Sequence, residues 1–181
     1  MRRSLAALVG FALIPLLLLG SCASSLAGAA IPIEQVVSQL RPQTPLPIFI
    51  PDAVPGLDEV YVHTYGDENS YGVDFDYVED CNGATACSYG GVWAQRYEGA
   101  LSPAEIIGMS ETIEPVSLTN GVDGQYANTC GAYCVATVMW QTDGVLYGVS
   151  IKNGEKAATV ALANGAIAAG PRAARSLQPT P

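Results

Sequence analysis

The sequence predicts an α+β fold: a twisted antiparallel sheet of about six to eight strands, packed against a carboxyl-terminal Ala-rich helix and a short amino-terminal helix. Three observations carry this. Tyr71, Val73, Phe75 and Tyr77 alternate with Gly72, Asp74 and Asp76, a period-two pattern with one dry face and one wet face. Asp143-Gly144, a type I′ turn signal, separates Tyr133–Gln141 from the apolar, alternating Val145–Ile151. The chain then becomes Ala-rich from Glu155 to Ala169.

The first residues stand apart from that fold. Arg2 and Arg3 precede a short apolar run, Leu5 to Leu19, broken by Pro15 and followed by Leu19-Gly20-Ser21-Cys22. That length suits a secretory signal rather than a membrane-spanning helix. Small residues placed directly before a cysteine resemble the lipobox of bacterial lipoproteins. The resemblance implies removal of residues 1–21, acylation of Cys22 and attachment to a membrane through it. Ordinary cleavage near Ala29 or Ala30, with no anchor, is the alternative. Residues 22–31 read as a tether, 32–170 as one domain and 171–181 as a disordered tail.

Cysteine usage agrees with export. Of five cysteines, setting Cys22 aside leaves Cys81, Cys87, Cys130 and Cys134. An even set in an oxidising compartment implies disulfides, and the local pairs Cys81–Cys87 and Cys130–Cys134 each sit within one Gly/Ala-rich loop. Their spacings fit zinc ligation poorly. A formal charge of -9, with nine acids and no Lys or Arg between Asp52 and Asp80, argues against nucleic acid and anionic lipid headgroups as partners.

Taken in order, Ile33, Val36, Val37 and Leu40 form one apolar face of a short helix ending before Pro42. Five prolines between Pro42 and Pro55 exclude a central strand and predict an edge strand or extended arm. Strands follow at Glu59–Tyr65, Tyr71–Tyr77 and Tyr89–Tyr97. Ser102-Pro103-Ala104-Glu105 is a capping box that starts a short helix through Met109. Glu114–Leu118 is a strand, turned by Asn120-Gly121 into Gly124–Tyr126. In the last helix, Ala158, Ala161, Leu162, Gly165 and Ala168 share a compatible face.

Few residues announce chemistry. His63 is the only histidine, with no Gly-x-Ser-x-Gly elbow in the chain, so a satisfied or surface histidine is expected. Asp67-Glu68-Asn69-Ser70 begins like an EF-hand loop but fails at Tyr71 and Val78, leaving Asp67, Asn69, Asp74 and Asp76 as a weak calcium set. Asp74, Asp76 and Glu79 are the carboxylates from which an envelope-polymer hydrolase would draw. Trp93, Trp140 and nine tyrosines could line a carbohydrate or peptide groove, though core packing is their default use. No cofactor motif is present.

The loop Cys81-Asn82-Gly83-Ala84-Thr85-Ala86-Cys87, the turn Leu118-Thr119-Asn120-Gly121, the loop Cys130-Gly131-Ala132-Tyr133-Cys134 and the run Trp140…Asp143-Gly144…Tyr147 before the final helix resemble a poorly characterised set of bacterial exported lipoproteins. The closing pattern is also similar to a domain of unknown function at the extracytoplasmic ends of some anti-sigma factors. The resemblance implies an exported α+β module and carries no activity or site residue. The sequence thus leads to an expectation of a lipid-anchored cell-envelope protein acting by binding or structural interaction with a protein or envelope polymer. A hydrolase or a carrier of an apolar ligand stands as the alternative.

Overall fold

The structure is a computed structural model that describes residues 28–81, 83–97, 99 and 112–172. Its central strand is β9, Val145–Lys152, with β3 (Tyr61–Gly66), β4 (Ser70–Asp76) and β5 (Ser88–Arg96) on one side. On the other lie β8 (Cys134–Thr142), β7 (Asp123–Cys130) and β6 (Thr112–Ser117). All neighbours in this seven-stranded sheet run antiparallel, in the order β3-β4-β5-β9-β8-β7-β6. A central strand is covered on both faces, which is why β9 reads as a nearly unbroken apolar run. Asp143 and Gly144, at φ 50° and 73°, make the expected primed turn between β8 and β9.

One face of the sheet holds the core. Helix α1 (Ile33–Leu40) buries Val36, Val37 and Leu40 there, as its periodicity predicts. Helix α2 (Lys156–Ala169) buries Thr159, Leu162, Ala163, Ala166 and Ile167. That face differs from the expected one: Ala161 and Ala168 are exposed. In a helix made almost wholly of small residues the apolar pattern has no sharp direction, so the large side chains Leu162 and Ile167 set which side turns inward. Against the helices the sheet presents Tyr71, Phe75, Trp140 and Tyr147, each almost fully buried.

The proline-rich stretch is the expected extended arm, and it crosses this same face with Leu46, Ile48, Ile50 and Val54 buried. An arm with so few N–H groups cannot add a strand to the seven-stranded sheet, so carbonyls along it need other donors. Tyrosine hydroxyls supply them. Tyr147 donates to Pro47 O (3.2 Å), Tyr71 to Phe49 O (3.3 Å) and Tyr89 to Pro55 O (2.6 Å). The Phe49 N–H donates in turn to the Tyr71 hydroxyl at 2.8 Å. Burial pushes the Tyr71 and Tyr147 phenols far up and the Tyr89 phenol up to about 12, so all three remain donors.

Two boundaries move. Residues at the end of the expected tether, Gly28–Ala30, form β1 and pair with β2, Ala53–Pro55, with Ala29 and Ile31 buried. Arg172, expected in the tail, closes the arm instead. Its guanidinium donates to Ile50 O and Asp52, its backbone bridges Ile48, and its carbonyl accepts from Arg41. Residues 1–21, Cys22 and the capping-box helix at 102–109 lie outside the described residues. Among the described residues no helix is long and apolar enough to cross a membrane.

Candidate functional site

The other face of the sheet is where side chains remain available to a ligand. Register places them in rows that run across the strands. One row reads Tyr65, Gly72, Trp93, Gly148, Met139: aromatic and glycine alternate on β3, β4, β5 and β9. A Cβ at Gly72 would collide with the Tyr65 ring, and one at Gly148 with the Trp93 indole. Both rings therefore lie down over the bare backbone of their neighbours. Tyr65 is 54% exposed in this position, a large aromatic surface to leave in water.

The next row, one side-chain repeat along the strands, reads His63, Asp74, Gly91, Ser150, Thr137. It forms a polar floor. Gly91 keeps that floor low, because a Cβ there would press on Val73 O at 2.7 Å. The far wall is built by Ser88, Val135 and Lys152 together with Thr85 and Tyr133 from the two cysteine loops. Between the walls lies a trough of about 240 Å³.

The cysteine loops owe their placement to two disulfides and one lysine. Cys81–Cys87 and Cys130–Cys134 are bonded, the first between β4 and β5 and the second across the β7–β8 hairpin. Lys152 on β9 stands between them. Its ammonium donates to Thr85 O and to Ala86 O, and sits 5.5 Å from the centre of the Tyr133 ring. Carbonyls and a ring face already surround this cation, so it acts as a strut for the wall.

Asp74 is the charged group of the floor. Burial pushes its carboxyl above the ordinary carboxylate value, and the neighbouring Asp76 pushes it further, against the pull of His63. Asp76 is itself buried, and His63 Nδ1 approaches its Oδ2 at 2.8 Å. The two side chains differ in exposure, 43% for His63 and 3% for Asp76. The histidine is thus satisfied, as expected, by a partner on the next strand.

The expected calcium set is not brought together. Asp67 turns the β3–β4 hairpin, its Oδ1 accepting from the Asn69 and Ser70 N–H groups at 2.7 Å each. Those bonds, the Asn69 N–H foremost, hold its carboxyl below the usual range. Asp67 and Asn69 lie at the hairpin turn, four or more strand residues from Asp74 and six or more from Asp76, about 13 Å and about 20 Å along β4. Among the described residues no three metal-ligating side chains converge. Glu79 is exposed just before Cys81 and is not part of the trough lining.

Ser150 and Lys152 carry no signal of their own in the sequence, and Tyr65 and Tyr133 stand there only as two of nine tyrosines. The signal that could have found them is the glycine at Gly72, Gly91 and Gly148 inside strand patterns, a mark of close approach by something above. Of the expected groove aromatics, Trp93, Tyr65 and Tyr133 line the trough; Trp140 is in the core, stacked on Tyr147 with ring centres 5.5 Å apart. Compared with models of known protein families, with curated proteins and with solved structures, the chain matches none.

Proposed function

We propose that this is a lipid-anchored protein of the cell envelope that acts by binding, and that the trough on the outer sheet face is its binding site. The observation that carries the reading is the pair of rings, Tyr65 and Trp93, laid over glycines beside a polar floor. Exposed aromatic surface that a core has no use for is what binding sites retain. Two disulfides fit a chain that folds where thiols oxidise. The membrane attachment rests on Cys22 and the small residues before it.

Two measurements test the reading. Labelled palmitate incorporates in the wild type and is lost in Cys22→Ser; labelling that survives the substitution removes the anchor. A photo-crosslinking residue at Thr85, in the native envelope, captures a partner that the same residue at the buried core position Val138 does not. Equal capture at both positions would discard the trough as the site.

A hydrolase reading has one observation in its favour. His63 is paired through Nδ1 with a buried carboxylate beside Asp74, a geometry that suits a general base. Turnover of an envelope polymer that vanishes in His63→Ala, with the fold intact, would replace binding by catalysis. A carrier of an apolar ligand is less well supported, since the apolar face of the sheet is filled by the arm and both helices.

A further inference from the structure

We infer that the trough takes an oligosaccharide segment of an envelope polymer, lying across the strands with its rings over Trp93 and Tyr65. The inference rests on the binding reading above and adds the class of ligand. It follows from what each part of the site can recognise. Rings packed over glycine backbone line the trough with aromatic surface: Tyr65 is exposed and Trp93 half-buried there. Such a surface takes the C–H side of a pyranose, a base or a proline ring alike.

The floor then chooses among them. Asp74 is an acceptor in need of donors, and a proline-rich strand has almost no N–H or O–H to give it. A nucleic-acid strand brings phosphates to a carboxylate, in a protein of formal charge -9. The one lysine of the lining is held by Thr85 O, Ala86 O and the Tyr133 ring, so no cation compensates there. A neutral sugar supplies hydroxyl donors for Asp74 and both donors and acceptors for Ser88, Ser150 and Thr85. The lining also crosses β3, β4, β5, β9 and β8, four strand spacings or about 19 Å, longer than a single sugar ring. Length favours a chain over a monosaccharide.

Soluble tetrasaccharides of β-1,4-linked glucose and of β-1,4-linked N-acetylglucosamine, titrated into the full chain with its disulfides intact, test this. Trp93 fluorescence reports, because the other tryptophan, Trp140, is buried and stacked. At least one tetrasaccharide binds at or below about 1 mM, about tenfold or more tighter than its monosaccharide. Trp93→Ala weakens it about tenfold, Trp93→Tyr restores most of the loss, and Asp74→Asn weakens it several-fold. Amide shifts on titration fall on Asp74, Gly91 and Ser150.

Monosaccharide and tetrasaccharide binding equally, or no saccharide binding up to about 10 mM, overturns the inference. A proline-rich peptide or an oligothymidylate that shifts Asp74, Gly91 and Ser150 while no saccharide does overturns it too. In that last case the Thr85 crosslink still forms, and the site survives with a different ligand.

Discussion

The two faces of one sheet have been put to opposite uses. On the helix side, aromatic side chains stand upright: Trp140 stacks on Tyr147, Phe49 meets Tyr147 edge-on at 4.9 Å, and three hydroxyls hold the arm. On the outer side, Tyr65 and Trp93 pack over glycine, the first exposed and the second half-buried. The same residue types thus stabilise the fold on one side and offer a surface on the other. What differs is what packs above the rings: the arm and both helices in the first case, an open trough in the second.

The contrast is broken most severely from the core side. Trp140→Ala removes a fully buried ring and its stack, and lowers unfolding free energy by about 3–5 kcal/mol in chemical denaturation. A loss under about 1 kcal/mol would mean that the helix-side face is not the stabilising one. Replacing Cys81 and Cys87 together by serine releases a loop of sequence separation 6, and costs about 2 kcal/mol on chain-entropy grounds. Because Thr85 lies in that loop, the same variant also loosens the trough wall, which ligand titration would register as weaker binding.

Trp93→Ala sharpens the comparison from the other side. It costs about 1 kcal/mol, since the ring was only partly buried, yet it removes most of the platform. Equal destabilisation by Trp93→Ala and Trp140→Ala would erase the distinction between the faces.

The smallest effect concerns charge. Asp74 has a raised folded-state pKa, so between the ordinary carboxylate value near 4 and that raised value the folded protein binds more protons than the unfolded chain. Its contribution to stability therefore declines as pH rises through that window. Asp74→Asn abolishes the decline and is the more stable protein at neutral pH. Asp67, with a lowered value, has the opposite sign: its contribution is present above about pH 4 and is lost as pH falls through its lowered pKa. Urea titrations of Asp74→Asn and Asp67→Asn across pH would show slopes of opposite sign relative to wild type. Parallel slopes would refute the assignment.

How far the sequence carries differs between the faces for a physical reason. The helix side was legible because burial imposes period: Tyr71, Val73 and Phe75 alternate, Val36, Val37 and Leu40 recur, and Asp143-Gly144 admits few turns. The outer side was legible only in fragments. Its rows run perpendicular to the chain, so Tyr65, Trp93 and Lys152 meet through register, and no window of neighbouring residues contains them. Arg172 escaped notice for a related reason. An arginine in this stretch has no local partner to reveal that a carbonyl 122 residues earlier accepts from it.

That arginine has a consequence for how the protein faces its surroundings. With Gly28 paired to Pro55, and Arg172 bound to Ile48, Ile50 and Asp52, residues 28 and 172 are both tied to the belt beneath the sheet. The two outermost described positions at that belt thus share the helix side. Tyr65 and Trp93 line the opposite face, across the thickness of the sheet from both.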